Sequence, residues 1–335
     1  MREAMGGARP IVLITNRVHA EVITFLEAFA NVEANACSEA FPREVLLEKM
    51  SRASAVMVFM SDSLDAAALD RCPNLRVVAA ALKGYDNFDV AACTRRGIWF
   101  TIVPDLLTVP TAELTIALML GLARKVLEGD RLVRSGSFAG WRPILYGAGL
   151  SASTVGIVGM GNLGRAVAER LSAFGAKLLY ADPLAGEVAG RLYGKQVELN
   201  ELVSRSDFVI LLAPLAPGTL HLFDAAMLAR MKPGSFLVNV GRGSVANEQA
   251  VADALASGHL AGYAADVFEM EDWARHDRPR SVRADLIRQM DKTLFTPHLG
   301  SAVRETRLQI EMRAAHNIAE ALSGRRPPDA INELP

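Results

Sequence analysis

Short apolar runs alternate with segments of helical periodicity along the chain. Runs such as Ile11–Thr15 and Ala55–Phe59 are short and rich in branched apolar side chains, which is typical of buried strands. Strands that alternate with helices form parallel sheets with helices on both faces. The other predicted strands are 77–81, 98–102, 154–158, 178–181, 208–213, 235–240, 262–265 and 294–296.

A turn-rich stretch with two prolines, residues 104–110, divides this alternation into two parts. A helical pattern from Thr111 to Arg134 follows it, and we expect one long helix there that connects two domains. A final amphipathic helix is predicted from about Ser301 to Leu322. Since 335 residues are enough for two domains, the sequence predicts two α/β domains, each a parallel sheet flanked by helices.

Composition and charge exclude several classes of protein. Hydrophobic residues make up 51% and charged residues 22%, and the formal net charge is −1, which argues against binding nucleic acid or anionic membrane through bulk charge. The cysteines, Cys37, Cys72 and Cys93, have neither the number of a disulfide framework nor the spacing of a metal site. The first residues contain no apolar signal segment, and the longest apolar runs are about half a membrane helix. We therefore expect a cytoplasmic protein without a bound metal.

A glycine-rich turn gives the strongest chemical signal. Residues 159–164 read Gly-Met-Gly-Asn-Leu-Gly and lie between a predicted strand and a helical pattern. Gly159 permits a tight turn, Gly161 leaves room for a pyrophosphate, and Gly164 lets the helix pack closely on the strand. The next strand ends at Asp182, whose carboxylate can accept hydrogen bonds from ribose hydroxyls and would repel a 2′-phosphate. This pattern predicts a site for NAD in preference to NADP.

Three charged side chains, Arg242, Glu271 and His298, each follow a later predicted strand. Because ligands bind beyond the carboxyl ends of parallel strands, we expect these side chains to converge beside the nicotinamide. Arg242 can hold an anionic substrate by a two-pronged contact, and His298 can exchange a proton near neutral pH. Glu271 can orient the imidazole and favour its protonated form.

These motifs resemble the D-2-hydroxyacid dehydrogenase family over nearly the whole chain. The similarity includes Gly84–Asp89, Arg242–Ser244 and His298–Ser301. It implies two Rossmann-like or flavodoxin-like domains, each a parallel sheet flanked by helices. The discontinuous substrate-binding domain is expected at 1–104 plus 298–335, and the NAD-binding domain at 105–297. The resemblance also implies a homodimer.

The predicted NAD-binding residues lie in the glycine-rich motif, at strand ends and in segments that resemble the family. They are Thr111, Gly159, Gly161, Asn162, Leu163, Gly164, Asp182, Ala213, Pro214, Val240, Gly241, Arg242, Asp266, His298 and Ser301.

Within the family, four stretches are similar to phosphite dehydrogenases, which oxidise phosphite to phosphate with NAD. They are Lys83 before Gly84, the segment 103–114, the aromatic pair Trp141 and Tyr146, and the segment 268–275. Phosphite is a small anion that is largely doubly charged, so its site needs concentrated positive charge.

We therefore expect phosphite to be the substrate, surrounded by the cations Lys83, Arg242 and Arg307. His298 would be the base that activates water for attack on phosphorus. The predicted substrate-binding residues are Met60, Lys83, Gly84, Leu107, Trp141, Tyr146, Arg242, His298, Ser301 and Arg307.

Two alternatives use the same fold. A D-2-hydroxyacid dehydrogenase or glyoxylate/hydroxypyruvate reductase would use the same Arg242, Glu271 and His298, with the imidazole donating a proton to a carbonyl oxygen. An NAD-sensing transcriptional corepressor is the alternative that is not an enzyme. Trp141 and Tyr146 can also serve packing or a subunit contact.

Overall fold

A computed structural model describes residues 9–185 and 194–334. The chain divides into two compact units, Met1–Leu107 with Val303–Pro335, and Thr108–Ala302. The boundaries expected from the sequence, after residues 104 and 297, lie three and five residues before these divisions. His298 therefore belongs to the second unit.

The first unit contains a parallel sheet whose five described strands have the order β2-β1-β3-β4-β5. The strands are β1 (Ile11–Ile14), β2 (Asn31–Ala34), β3 (Ala55–Val58), β4 (Val77–Ala80) and β5 (Trp99–Thr101). The helices are α1 (Ala20–Glu27), α2 (Arg43–Met50), α3 (Ala66–Asp70), α4 (Val90–Arg95) and the last helix, α12 (Arg304–Leu322). Every residue of β3 and β4 is buried, because helices cover both faces of the sheet.

The last helix belongs to the first unit because its apolar stripe completes the core there. Ile310, Ala314 and Ile318 recur every four residues and pack with Val22 and Leu26 of α1 in one cluster. Glycine at position 324, with φ +83°, follows the end of the helix in the left-handed conformation that a Cβ disfavours.

The second unit contains a parallel sheet whose seven described strands have the order β12-β11-β10-β9-β6-β7-β8. The strands are β6 (Thr154–Val158), β7 (Lys177–Ala181), β8 (Lys195–Gln196), β9 (Phe208–Leu211), β10 (Ser235–Asn239), β11 (Leu260–Ala265) and β12 (Thr293–Phe295). Among its described residues, the helices are α5 (Thr108–Ala123), α6 (Val126–Arg134), α7 (Asn162–Ser172), α8 (Leu199–Arg205), α9 (Ala225–Ala229), α10 (Glu248–Ala256) and α11 (Ala284–Arg288). Strand order reverses between β6 and β9, and ligands of doubly wound sheets bind at the carboxyl ends of the strands at such a reversal.

The predicted fold class is confirmed, with two parallel α/β sheets flanked by helices. The single long helix predicted over 111–134 is wrong. Helix α5 ends at Ala123 and α6 begins at Val126, because Lys125 has a φ of +53° that no α-helix continues through.

No helix among residues 9–185 and 194–334 combines the length and the apolar character that crossing a bilayer requires.

Candidate active site

The turn between β6 and α7 has the shape of a dinucleotide site. Gly159 has a φ of +98°, and a Cβ built on Gly164 would lie 2.3 Å from the Gly159 carbonyl oxygen. A Cβ built on Gly161 would meet no described atom within 4 Å. The helix therefore packs against the turn at Gly164, while space remains open in front of Gly161.

The residues of this turn fit NAD. Gly161 is the N-cap of α7 and offers no side chain to the first helix amides, which suit the pyrophosphate of a dinucleotide. At the end of β7, the Asp182 carboxylate accepts hydrogen bonds from the backbone N–H groups of Met160 at 2.7 Å and Leu184 at 2.8 Å. These two bonds hold the carboxylate in place, and its remaining lone pairs can accept from ribose hydroxyls.

The other predicted NAD-binding positions lie along the same edge of the second sheet. Ala213 and Pro214 follow β9, and Val240 and Gly241 follow β10, in strands that run parallel to β6. A Cβ on Gly241 would lie 2.8 Å from the Ala213 carbonyl oxygen, so these two loops pack directly together. Their contacts with NAD stay predictions.

His298 and Glu271 form a close pair beyond the ends of β12 and β11. The imidazole Nδ1 lies 2.6 Å from Glu271 Oε2, and the side chains are 28% and 26% exposed. The other Glu271 oxygen accepts the backbone N–H of Phe268 at 2.8 Å, which fixes the carboxylate. The imidazole thus has one nitrogen on a carboxylate and the other available for proton exchange, which is the arrangement of a general acid or base.

The buried carboxylate of Asp266 holds the backbone of the turn that contains His298. It accepts hydrogen bonds from the backbone N–H groups of Leu299 and Gly300 and from the Thr296 hydroxyl, at 2.7, 2.8 and 2.6 Å. His298 itself has a φ of +54°, a conformation that non-glycine residues adopt only when their surroundings enforce it. Burial raises the pKa of Asp266, although these donors oppose the shift. Sequence reasoning placed Asp266 in the NAD site and missed this structural role, because Leu299 and Gly300 bond to it through backbone amides.

Arg242 begins the loop after β10. The Asn239 amide donates to the Arg242 carbonyl at 2.9 Å and accepts from Gly241 N–H at 3.2 Å. A Cβ on Gly243 would lie 1.9 Å from the Phe268 carbonyl carbon, so this loop packs on the loop that carries the Glu271 turn. The Arg242 side chain is partly buried.

The remaining candidates are distributed over both units. In the first unit, Lys83 Nζ lies 2.8 Å from Asp105 Oδ1 in a largely exposed pair. The Arg307 guanidinium lies over the Phe59 ring at 5.7 Å and 3.5 Å from Glu311, and burial lowers its pKa. Gly84 follows Lys83, Met60 follows β3, and Leu107 packs against the first core.

In the second unit, Thr111 lies against Gly300, where a Cβ would be 3.0 Å from the Thr111 hydroxyl. Ser301 follows directly and is partly buried. Trp141 and Tyr146 are 84% and 78% exposed, so neither side chain is packed against the pair of His298 and Glu271.

Comparison with known proteins identifies the family. The profile of the NAD-binding domain of D-isomer-specific 2-hydroxyacid dehydrogenases matches residues 116–300. The chain belongs to this family. Its second unit is the NAD-binding domain of a dehydrogenase, and the sequence-based prediction of NAD as cofactor is confirmed.

Curated relatives of this dehydrogenase are glyoxylate reductases. The enzyme of Thermococcus litoralis is 35% identical over 334 residues, which cover 97% of each chain. That of Pyrococcus furiosus is 36% identical and covers 97% of this chain and 96% of its own.

Solved structures agree with the family. A Thermus thermophilus protein, 34% identical, superposes with a TM-score of 0.87 over 96% of this chain and all of that chain. An NADPH-dependent glyoxylate/hydroxypyruvate reductase of Sinorhizobium meliloti, solved with NADP and malonate, is 28% identical. It has a TM-score of 0.84 and covers 98% of each chain.

These names contradict the predicted oxidation of phosphite. The curated relatives named above are glyoxylate reductases, and the Sinorhizobium meliloti structure is a glyoxylate/hydroxypyruvate reductase. Lys83, the residue that most favoured a dianion, is paired with Asp105 within its own unit. The alternative prediction, a reductase of 2-oxo acids, is favoured instead.

Proposed function

We propose that the dehydrogenase reduces glyoxylate, and hydroxypyruvate as a related substrate, to the 2-hydroxy acid with NADH. The observation that carries the proposal is the 2.6 Å contact between His298 Nδ1 and Glu271 Oε2, beyond the strand ends of the NAD-binding domain. The names of the curated relatives support the same substrates.

Arg242 would bind the carboxylate of the 2-oxo acid. A guanidinium presents two parallel N–H donors that match a carboxylate, and such a contact fixes the orientation of the neighbouring carbonyl. One arginine suffices because a 2-oxo acid carries a single negative charge. The substrate-binding roles of Met60, Lys83, Gly84, Leu107, Ser301 and Arg307 stay predictions.

His298 would donate a proton to the carbonyl oxygen as that oxygen gains negative charge. Bound NADH supplies the hydride that adds to the carbonyl carbon. Glu271 would keep the ring oriented and stabilise the protonated imidazole, since a carboxylate beside an imidazole favours the charged form. In the reverse direction the same ring would accept the proton of the 2-hydroxy acid.

We also propose that the chain forms a homodimer through the segment after α6. Phe138, Trp141 and Tyr146 are 51%, 84% and 78% exposed, and neighbouring Val133 and Ile144 are also exposed. Exposed apolar side chains that follow one another closely along the chain are typical of interaction surfaces. The family resemblance supports a second copy of this chain as the occupant.

Steady-state kinetics with Arg242 variants test the proposed roles. The wild-type enzyme should consume NADH with glyoxylate and with hydroxypyruvate. Arg242→Gln should raise the KM for glyoxylate by about tenfold or more, because a charge-assisted hydrogen bond is worth ~1.5–3 kcal/mol. An Arg242→Gln enzyme with the wild-type KM would remove Arg242 from the substrate site, and a wild-type enzyme inactive on both 2-oxo acids would refute the function.

A further inference from the structure

A buried hydrogen-bond network joins the loop that carries Arg242 to the turn that carries Glu271. The backbone N–H of Ser244 donates to Asp272 Oδ2 at 2.8 Å. Glu248 and Glu269 each donate a backbone N–H to the other's carboxylate, at 2.9 and 2.8 Å. Glu248 is 1%, Asp272 2% and Glu269 8% exposed. Three carboxylates are therefore buried in the segments that follow Arg242 and flank Glu271.

The Arg275 guanidinium lies between the two segments. Its Nη1 donates to the Ser244 hydroxyl at 2.7 Å and to Glu269 Oε2 at 3.0 Å, so one nitrogen contacts both. Asp277 accepts from its Nε and Nη2, at 3.2 and 3.0 Å, which holds the plane of the guanidinium. The Arg275 side chain is only 14% exposed. His221 Nε2 lies 3.0 Å from the same Glu269 oxygen.

We propose that Arg275 is a positioning residue, which fixes the Arg242 loop and the Glu271 turn relative to each other. The proposal deepens the proposed function and rests on it for the roles of Arg242 and Glu271. Buried carboxylates are costly unless a cation compensates them, and Arg275 supplies one at Glu269. Lysine cannot take its place, because an ammonium has no planar fork to hold Ser244, Glu269 and Asp277 together.

Burial raises the pKa of Glu248 to about 7, and the negative charge of the neighbouring Glu269 adds to the rise. Loss of the Arg275 charge beside the buried Glu269 carboxylate should therefore cost more free energy than breaking an exposed ion pair.

The test compares Arg275→Lys with Arg283→Lys. Arg283 is a matched control because its side chain forms the same forked pair with a carboxylate two residues on, Asp285. Lysine at position 283 keeps the backbone N–H and the positive charge that Arg283 places beside Glu248, so only the fork is removed. For Arg275→Lys, kcat for glyoxylate should fall and its KM rise, with kcat/KM down by about tenfold or more, while the KM for NADH stays within about twofold. Arg283→Lys should resemble the wild type in all three constants. An Arg275→Lys enzyme with wild-type kcat and KM, or an equal loss in Arg283→Lys, would overturn the proposal.

Ser244→Ala tests the contact of Arg275 with the Arg242 loop separately from its contact with Glu269. It removes the hydroxyl that links Arg275 to the Arg242 loop and leaves the Arg275–Glu269 contact in place. The KM for glyoxylate should therefore rise more than kcat falls. A fall in kcat with an unchanged KM would contradict the assigned link to Arg242.

Hydrogen exchange of backbone amides gives a readout that does not depend on turnover. In Arg275→Lys, residues 243–248 and 268–272 should both exchange faster, and in Arg283→Lys neither should. If the wild-type enzyme fails to reduce 2-oxo acids, the proposed function falls while this pattern still supports the positioning role. Unchanged exchange in Arg275→Lys would refute the positioning role, whatever the substrate is.

Discussion

At the scale of single residues, the proposed mechanism depends most on His298. His298→Asn removes the proposed proton donor and leaves the turn held by Asp266 in place, so we expect kcat for glyoxylate to fall by about 10²–10⁴-fold. The Kd for NADH, measured by fluorescence titration, should stay within about twofold of the wild type. Turnover within tenfold of the wild type would show that another group supplies the proton.

The raised pKa of Asp62 should make the stability of the fold depend on pH. This side chain is 3% exposed, and burial raises its pKa from 3.8 to about 6 although Thr15 and Phe59 donate to it. Between these two pH values the folded state binds more protons than the unfolded state, so the free energy of unfolding falls as pH rises. Relative to Asp62→Asn, the wild type should lose on the order of 2–3 kcal/mol between pH 4 and pH 7 in urea unfolding experiments. A difference that is constant with pH would contradict this assignment.

The sequence alone predicted Arg242, Glu271 and His298 as a set, because each follows a strand and parallel strands end at one edge. The structure brings Glu271 and His298 into contact. It also shows contacts of two further residues that no sequence pattern revealed. Asp266 bonds to backbone amides, and Arg275 reaches Ser244 through space across 31 positions of the chain.

At the scale of elements, two glycines of the turn between β6 and α7 should affect different properties. Gly164 should affect the stability of the fold, and Gly161 should affect the binding of NADH. In Gly164→Ala the new methyl group would lie 2.3 Å from the Gly159 carbonyl oxygen, so stability should fall by ~1–3 kcal/mol. In Gly161→Ala the methyl group meets no described atom within 4 Å but enters the space predicted for the pyrophosphate. Thermal unfolding should therefore be nearly unchanged, while the Kd for NADH rises. If Gly161→Ala binds NADH normally, the pyrophosphate lies elsewhere.

Central strands were predictable because they are continuous apolar runs, as in β3 and β9, which are buried at every position. The edge strands β2 and β8 were missed. Both are short and lack a continuous apolar run, and only pairing with a neighbour makes them strands. The break between α5 and α6 was also missed, since Lys125 is an ordinary helix former whose left-handed φ comes from tertiary context.

At the scale of the whole molecule, the exposed aromatic segment predicts a dimer. Sedimentation equilibrium of the wild type should give about twice the 36.0 kDa of one chain. Trp141→Glu with Tyr146→Glu should shift the enzyme toward a monomer, because charges would be buried in the contact. Ile287→Glu is the control, since Ile287 is 53% exposed on α11, outside this segment. A wild-type monomer, or an unaffected dimer in the double variant, would contradict the proposed surface.

The proposed substrate is tested by comparing two reactions of the wild-type enzyme under the same conditions. NADH consumption with glyoxylate is followed beside NADH formation from NAD and phosphite, both by the absorbance of NADH. We expect kcat/KM for glyoxylate to exceed that for phosphite by orders of magnitude, since Arg242, Glu271 and His298 suit a carboxylate beside a carbonyl. Faster oxidation of phosphite than reduction of glyoxylate would contradict this expectation.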